Sequence, residues 1–366
     1  MPNAEAERPS GRFAFSAKLH SLAAMLTENE SLQPYNTFGI EAKARWFARV
    51  RSLDALQALL AEKKFKDQPK LILGEGSNVL LRGDYDGLVI KNELSGIETV
   101  DENEDYVTLL VQSGENWHTL VQKCVQLGYG GIENLALIPG TCGAAPIQNI
   151  GAYGVEVKEV IHEVAGIEIE TQQKHTFSNQ VCAFGYRESI FKHTWRKKIF
   201  ISSITLTLTK KNHVLRTDYG AIRDVFAQRN IRQPTIQDVR DAVVAIRQSK
   251  LPDPRVIGNA GSFFKNPTIT QAHYQSLQKS YGSVPGYASV NQNVKIPAAW
   301  LIEQCGWKGK RIGNVGVHVH QALVLVHYGG ARGEEILLLA RAIIASVKEK
   351  FDVELTPEVN IITSTH

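Results

Sequence analysis

A stretch of small residues in the middle of the chain restricts what it can fold into. Residues 138–154 read Ile-Pro-Gly-Thr-Cys-Gly-Ala-Ala-Pro-Ile-Gln-Asn-Ile-Gly-Ala-Tyr-Gly. Because these side chains offer little apolar surface to bury, the segment cannot form a core of its own. It therefore predicts a loop pressed against a large, flat bound group. A flexible linker is the alternative, but Ile147, Ile150 and Tyr153 make the segment too apolar for one.

A second glycine-rich segment follows a short apolar run. Leu71-Ile72-Leu73 predicts a buried strand that leads directly into Gly74-Glu75-Gly76-Ser77-Asn78. A strand entering a glycine turn suggests a Rossmann dinucleotide site, yet Val79 occupies the third glycine position and begins another strand pattern. The Rossmann interpretation therefore fails. What remains is a turn whose consecutive backbone N–H groups can form a concave anion site.

A serine lies in a third segment of unusual composition, Gly258-Asn259-Ala260-Gly261-Ser262-Phe263-Phe264-Lys265-Asn266-Pro267. Its small neighbours leave room around the hydroxyl, and the lysine and asparagine that follow can hold an anion. The Gly-x-Ser-x-Gly elbow of hydrolases is absent from the sequence. Alone, the segment is equally consistent with a glycine-rich turn before an apolar pair, so its interpretation depends on the accompanying motifs.

Length, charge and cysteine spacing limit the possible classes of protein. A chain of 366 residues predicts two or three domains, and a net charge of +4 is too small and dispersed to predict binding to nucleic acid or a membrane. Cysteines 124, 142, 182 and 305 lack Cys-x-x-Cys spacing, so we expect neither a metal site nor a disulfide framework. The sequence shows no signal peptide and no apolar run of membrane-spanning length. These features predict a cytoplasmic protein.

The remaining pattern predicts an α+β protein. Strands are expected over residues 45–50, 107–111, 164–169, 199–208 and 321–327. Helices are expected over 13–26, 53–60, 238–250, 298–305 and 334–351, the first within an N-terminal appendage. Ser52 caps the second of these helices. The prolines in Leu251-Pro252-Asp253-Pro254 mark a linker or domain edge.

The glycine and serine segments belong to an ordered set of motifs. The set comprises Asn36-Thr37-Phe38-Gly39, Gly74-Glu75-Gly76-Ser77-Asn78, Glu133-Asn134-Leu135-Ala136-Leu137-Ile138-Pro139-Gly140, Gln148-Asn149-Ile150-Gly151-Ala152-Tyr153-Gly154, Phe184-Gly185-Tyr186-Arg187, Ala260-Gly261-Ser262-Phe263-Phe264-Lys265-Asn266-Pro267 and Pro357-Glu358-Val359. Each motif is weak alone, but their order is specific. Over residues 36–362 the chain resembles the UDP-N-acetylenolpyruvoylglucosamine reductase family.

The resemblance implies an α+β fold in two parts: a two-lobed FAD-binding domain of the vanillyl-alcohol-oxidase (PCMH) type and a smaller α+β substrate-binding domain. An N-terminal extension is expected over residues 1–30. The FAD-binding domain is expected over 31–230, with lobes over about 31–96 and 97–230, followed by a connecting helix over 231–250. The substrate-binding domain is expected over 251–355, and a C-terminal strand over 356–366 returns to the FAD-binding domain.

The resemblance also implies the reaction. NADPH would reduce noncovalently bound FAD, and the reduced flavin would convert UDP-N-acetylglucosamine enolpyruvate to UDP-N-acetylmuramate for peptidoglycan synthesis, and hence for cell-wall growth, cell shape and cell division. We expect a cytoplasmic monomer acting on this small molecule. The implied cofactor-binding residues are Gly74, Glu75, Gly76, Ser77, Asn78, Pro139, Gly140, Thr141, Gly143, Ala144, Gln148, Asn149, Gly151, Ala152 and Tyr153.

Three residues match the catalytic positions of the family. Arg187 would contact the substrate carboxylate, because a planar guanidinium makes bidentate contacts and stays charged. Ser262 would give the proton that completes the reduction. Glu358 would help to stabilise the enolate-like intermediate, for which a protonated carboxyl suits better than a charged one.

Substrate-binding positions also carry over from the resemblance. Lys250 and Asn266 suit a diphosphate. Tyr287 lies in a loop-rich insert, about residues 269–294, which is typical of the subclass with the longer substrate domain and implies a loop that closes over substrate. The full set is Tyr186, Tyr219, Lys250, Asn266, Tyr287 and Gln321.

Two other functions remain open at this point. An FAD oxidase of the same wider fold would use oxygen in place of NADPH, and a silent nucleotide-sugar binding module would keep the glycine loops alone. Arg187, Ser262 and Glu358 together favour the reductase over both. Cys142 in the glycine loop departs from the family pattern, and we interpret it as a small buried packing residue, not as a covalent flavin link.

Overall fold

The first lobe forms a helix-covered sheet, as its pattern predicts. The computed structural model of the chain describes residues 25–363. Ser52 has an extended backbone and accepts the Ala55 N–H, so it caps the helix Leu53–Leu60. The sheet is antiparallel between its first two strands and parallel between the others. In spatial order its strands are Leu26–Ser31, Lys43–Val50, Tyr85–Asn92 and Lys70–Leu73.

The second lobe is a five-stranded antiparallel sheet covered by helices. Its long strand, Ile199–Thr209, lies inside the sheet, which explains why nearly every residue in it is buried. In spatial order the strands are Lys174–Ser178, Ile161–Glu168, Ile199–Thr209, Tyr106–Gln112 and Ile97–Glu102. The helices of this part are Trp117–Gln126, Gly220–Gln228 and Ile236–Lys250. The last of these begins with a capping box formed by Thr235 and Asp238.

The C-terminal part packs an antiparallel sheet against the long helix Gly333–Phe351. This helix buries the predicted stripe of Ile336, Leu339, Ala340, Ile343, Val347 and Phe351. In spatial order the strands are Gly258–Ser262, Val324–His327, Val315–Val317 and Arg311–Ile312. The helices Gln271–Tyr281 and Ala298–Gln304 complete this part. Its core is continuous with that of the first lobe, since Phe263 packs edge-on against Phe38 at 6.5 Å.

Short elements join these parts. The strand Asn360–Ile362 pairs in parallel with Val79–Leu81, so the end of the described chain returns to the first lobe. Small sheets contain Thr268–Ile269 with Val294–Lys295 and Tyr287–Ala288, and Gly151–Ala152 with Val155–Glu156. The 3-10 helices are Gln33–Tyr35, Lys63–Phe65, Glu133–Leu135, Cys142–Ala144, Val157–Glu159, Ile190–Lys192 and Val290–Gln292.

The structure corrects three local predictions. The strand predicted over 321–327 begins only at Val324, because the Val324 N–H closes a turn on the Gln321 carbonyl. The insert over 269–294 is not mainly loop: Thr270 caps the helix Gln271–Tyr281, and Leu277 anchors it in the core. The helix predicted over 13–26 lies outside the described residues except at its end, where Leu26 opens a strand.

Across residues 25–363, no helix is long and apolar enough to cross a membrane, and no group of three or more His, Cys, Asp or Glu side chains could hold a metal ion. The cysteines at 124, 142, 182 and 305 are all free.

Candidate active site

One cavity of about 190 Å³ lies where the two glycine-rich loops, the turn that carries Arg187 and the C-terminal part meet. Arg187, Ser262 and Glu358 all line it, although 171 positions separate the first from the last in sequence. The complete lining is Ser77, Asn78, Ile138, Pro139, Gln148, Ile150, Gly151, Tyr186, Arg187, Arg247, Ala260, Gly261, Ser262, Phe264, Asn266, Leu323 and Glu358.

Side-chain hydrogen bonds hold the two glycine-rich loops against each other. One carboxylate oxygen of Glu75 accepts the Gly140 N–H at 2.9 Å, and the other accepts the Asn116 side chain. The Asn78 amide donates to the Gln148 side chain at 2.6 Å. The loops predicted to contact one bound group therefore lie side by side, and Glu75 serves to join them.

The first loop requires glycine at Gly76. Its φ is +65°, and a Cβ there would lie 2.0 Å from the Tyr35 carbonyl oxygen. Within residues 25–363 the backbone N–H groups of Gly76, Ser77 and Asn78 donate to no protein acceptor. Free, adjacent N–H groups beside a cavity are the feature that binds phosphate oxygens in backbone nests. The loop therefore fits the diphosphate of a dinucleotide.

Arg187 is held in a tight turn that aims its guanidinium at the cavity. Its φ is 55°, an uncommon backbone conformation for a residue with a side chain. Nη1 donates to the Asn149 carbonyl at 3.2 Å, Nη2 donates to the Gly151 carbonyl, and Nε lies 3.1 Å from the Glu358 carboxylate. The guanidinium is thereby oriented by groups from two distant parts of the chain.

Glu358 is the partner of Arg187 in this ion pair, and its side chain is 14% exposed. Its backbone N–H donates to the Phe263 carbonyl at 2.8 Å, so it is attached directly to the segment that carries Ser262. Burial raises the pKa of Glu358, and the charges of Arg187, Lys192 and Lys265 offset part of that rise. The geometry thus favours a carboxyl that takes up a proton more readily than an exposed glutamate.

A β-bulge directs Ser262 into the cavity. The register between Gly258–Ser262 and Val324–His327 shifts after Asn259, whose Oδ1 accepts the Gly261 N–H at 3.0 Å. Gly261 has a φ of +68° and open space where its Cβ would stand. The Ser262 hydroxyl bonds to no other residue among 25–363, so it is free to interact with a ligand.

The predicted substrate residues divide into two groups. Tyr186 and Asn266 line the cavity, and burial raises the pKa of Tyr186. The side-chain oxygen of Asn266 accepts the Ala298 N–H at 2.9 Å, which leaves the side-chain NH₂ group as the available donor. The structure does not bring the others into the cavity lining: Tyr219, Lys250, Tyr287 and Gln321.

These outlying residues occupy different positions around the site. Tyr219 precedes the helix Gly220–Gln228 and packs edge-on against Tyr153 at 5.1 Å. Tyr287 is 63% exposed on a short strand, and Lys250 ends the helix Ile236–Lys250. Gln321 accepts the Leu323 N–H within a turn.

Of the predicted cofactor residues, five line the cavity: Ser77, Asn78, Pro139, Gln148 and Gly151. The remainder form or support the loops behind them. Asn149, for example, is fully buried and its amide donates to the Gly185 carbonyl and to Glu156. This group comprises Gly74, Glu75, Gly76, Gly140, Thr141, Gly143, Ala144, Asn149, Ala152 and Tyr153. Cys142 is also fully buried, which raises the pKa of its thiol well above the ordinary value.

Sequence reasoning missed Arg247, which lines the cavity. Its Nε donates to the Leu137 carbonyl at 3.2 Å. Burial lowers the pKa of Arg247, and the nearby Tyr153 offsets part of that fall. The signal was present in the helix pattern. Arg247 follows the buried Val243 by one helical turn, so a charged side chain stands on the apolar face where it needs a partner.

Comparison with known proteins agrees with this arrangement. The profile of an FAD binding domain matches residues 44–171, and that of the UDP-N-acetylenolpyruvoylglucosamine reductase C-terminal domain matches residues 253–362. The reductase of Flavobacterium johnsoniae is 48% identical over 92% of this chain and 99% of its own length. The reductase of Amoebophilus asiaticus is 51% identical over the same shares of the two chains.

A solved structure shows the same fold at lower identity. The reductase from Thermus caldophilus is 21% identical, with a TM-score of 0.64 over 92% of this chain and 98% of that one. The α+β fold is therefore an FAD-binding domain joined to a reductase C-terminal domain. From the sequence identity over nine-tenths of its length, the chain belongs to the UDP-N-acetylenolpyruvoylglucosamine reductase family.

Proposed function

We propose that the chain reduces UDP-N-acetylglucosamine enolpyruvate to UDP-N-acetylmuramate, with NADPH as the reductant of bound FAD, as a cytoplasmic monomer of the longer-insert subclass. The observation that carries this proposal is the convergence of Arg187, Ser262 and Glu358 on one cavity beside the loops that fit a dinucleotide. When bound, FAD supplies the hydride chemistry that no side chain can provide.

The cofactor would be held by the two glycine-rich loops. The free N–H groups of Gly76, Ser77 and Asn78 suit its diphosphate, and the small residues Pro139 and Gly151 leave space for a flat ring along the cavity. The half-buried Arg247 adds positive charge on the same side.

Arg187 would bind the enolpyruvyl carboxylate. Its bonds to the Asn149 and Gly151 carbonyls orient the guanidinium before substrate arrives, so little reorganisation is required during the reaction. Negative charge that develops on the α-carbon and its carboxylate would lie next to this cation. Glu358, whose pKa is raised by burial, would be protonated in the reacting state and donate a hydrogen bond to the enolate-like intermediate.

Ser262 would donate the proton to the α-carbon. A serine hydroxyl is a weak acid, but a carbanion is a strong base and needs only a donor at the correct position. The bulge at Asn259 and Gly261 supports that position because it turns the serine out of the regular strand register.

The remaining predicted residues would act at the margin of the cavity. Tyr186 and Asn266 would contact the substrate directly, whereas Tyr219, Lys250 and Gln321 would reach the UDP part beyond the cavity. Tyr287, 63% exposed, would close over the ligand. We also propose domain boundaries at residues 31–230, 231–250, 251–355 and 356–366, which place the cavity at the junction of the two domains. The strand Leu26–Ser31 pairs with Lys43–Val50, so the first domain begins a few residues before residue 31.

The test is anaerobic visible absorbance of the purified protein, with NADPH added first and UDP-N-acetylglucosamine enolpyruvate second. Bleaching followed by full recovery on substrate is expected. In Ser262→Ala, bleaching should persist while recovery slows by at least ~10²-fold. Recovery only in air would instead indicate an oxidase, and a protein that cannot bind FAD would exclude the enzyme. Equal slowing of both steps would contradict the role of Ser262.

A further inference from the structure

The turn that presents Arg187 needs support from its surroundings. Gly185 and Glu188 exchange backbone hydrogen bonds of 3.0 and 3.2 Å, which place Tyr186 and Arg187 at the tip. With a φ of 55°, Arg187 occupies a left-handed conformation that costs a residue with a Cβ about 1–2 kcal/mol. Such a conformation persists only when neighbouring contacts stabilise it.

Glu188 is the anchor of this turn. One oxygen of its carboxylate lies 2.6 Å from the Lys265 ammonium, and the other lies 2.7 Å from His193 Nε2. Lys192 lies 4.0 Å from the same carboxylate and donates to the Arg187 carbonyl at 3.1 Å. The turn is therefore held from outside by a cluster of charged side chains.

Lys265 connects this cluster to the other catalytic segments. It follows Ser262 by three positions, and its backbone N–H donates to the Thr356 carbonyl at 2.9 Å, two residues before Glu358. Its side chain is only 18% exposed, compared with 38% for Glu188. The ion pair thus joins the Arg187 turn to the segments that carry Ser262 and Glu358.

A second link between these segments lies inside the cavity. Arg187 contacts Glu358 there at 3.1 Å, and a substrate carboxylate would compete for the same guanidinium. Neither Glu188 nor Lys265 lines the cavity, so their contact does not compete with the substrate carboxylate for Arg187. The pair can hold the geometry at the stage when the inner contact is exchanged for substrate.

We propose that Glu188 and Lys265 are positioning residues whose ion pair keeps Arg187 in register with Ser262 during flavin reoxidation. The inference rests on the proposed function. It concerns orientation in the step that follows substrate binding, and it involves no contact of either residue with the substrate. A misplacement of about 1 Å can slow a reaction by roughly 10²-fold.

The test compares the two half-reactions in Glu188→Gln and Lys265→Met by stopped-flow absorbance. We expect flavin reduction by NADPH to remain within about twofold of wild type, and reoxidation at saturating substrate to slow by roughly 10- to 100-fold. The double variant should be no slower than the slower single variant, because both changes break the same Glu188–Lys265 ion pair. Lys265→Arg, which keeps the pair, should restore the rate.

Glu334→Gln is the matched control. Glu334 forms a 2.6 Å ion pair with Arg82 that joins the first lobe to the C-terminal part away from the cavity, with a glutamate 32% exposed against 38% for Glu188. The control should leave both half-reactions unchanged. Equal effects in Glu334→Gln and Glu188→Gln, multiplicative effects in the double variant, or slowed flavin reduction would each overturn the inference.

Failure of the proposed function gives a different result. If substrate does not reoxidise the wild-type flavin, the function falls and this inference falls with it. If wild type completes the cycle and Glu188→Gln reoxidises equally fast, only this inference is refuted. Flavin content and thermal unfolding of each variant confirm that it is folded before the rates are compared.

Discussion

Replacing Glu358 tests the electrostatic reasoning about the site. Glu358 and Arg187 form an ion pair at 3.1 Å with side chains 14% and 17% exposed. Removing one partner of a fully buried pair costs about 3–5 kcal/mol, because the other charge is left uncompensated. Without Glu358, the charge of Arg187 would still be partly compensated, because its guanidinium donates to the Asn149 and Gly151 carbonyls.

The expected loss of stability is correspondingly smaller. Glu358→Ala removes one charged hydrogen bond and should lower the free energy of unfolding by about 1–3 kcal/mol. Glu358→Gln keeps an oxygen acceptor for Arg187 and avoids burial of a carboxylate, so its cost should stay below about 2 kcal/mol at pH 8. Flavin reoxidation should nevertheless slow by roughly 10²-fold or more in both variants.

The pH dependence follows from the sign of the pKa shift. The pKa of Glu358 in the folded protein lies above its ordinary value of 4.5, because burial disfavours the charged form. The folded state therefore binds this proton more tightly than the unfolded chain. The associated stability is fully present below pH 4.5 and is lost as the pH rises through the folded-state pKa. Glu358→Gln should abolish this component of the pH profile, and also any fall in the reoxidation rate that accompanies the loss of this proton.

Urea unfolding between pH 4 and 9 measures the first effect, and anaerobic stopped-flow absorbance measures the second. A loss above about 3 kcal/mol in Glu358→Gln would show that the carbonyls do not compensate Arg187. Unchanged reoxidation in that variant would refute a catalytic role for Glu358. An unaltered pH profile would show that a different group titrates.

Three further predictions test the loops around the site. Gly76→Ala should reduce FAD affinity, measured by flavin fluorescence, because the added Cβ would lie 2.0 Å from the Tyr35 carbonyl oxygen. Gly128→Ala is the control: Gly128 has a φ of +78° and open space around it, so this variant should lose only about 1–2 kcal/mol of stability and still bind FAD. Asn259→Ala should destabilise the protein by about 1–3 kcal/mol and slow flavin reoxidation, since its buried amide shapes the bulge before Ser262; normal reoxidation would refute that role. Tyr287→Phe should weaken substrate binding with flavin reduction intact, and an unchanged dissociation constant in a titration would contradict closure of its loop.

Local features of the fold could be predicted because their causes act over a few residues. The cap at Ser52 and the buried stripe of the helix Gly333–Phe351 follow from side-chain chemistry at helical spacing. The turn at Gly76 follows from the need for a positive φ. The strand predicted to begin at Gln321 begins only at Val324, because a turn hydrogen bond from the Val324 N–H to the Gln321 carbonyl precedes the sheet.

The assembly of the site depended on contacts between distant segments. The ordered motifs identified Arg187, Ser262 and Glu358 as candidates, but their spacing along the chain carries no distance in space. Their meeting in one cavity results from the shared core around Phe263 and from the return of the strand Asn360–Ile362 to the first lobe.

The sequence by itself predicted the helices Leu53–Leu60, Ile236–Lys250, Ala298–Gln304 and Gly333–Phe351, several strands and the chemistry available to the site, because each depends on residue type and local spacing. It did not predict the helices Trp117–Gln126, Gly220–Gln228 and Gln271–Tyr281. Tertiary structure alone decided which side chains line the cavity. It placed the unpredicted Arg247 there and left Lys250, one turn further along the same helix, outside. It also decided the environment of Glu358, since burial and the surrounding cations set its pKa, and both arise only when distant segments pack together.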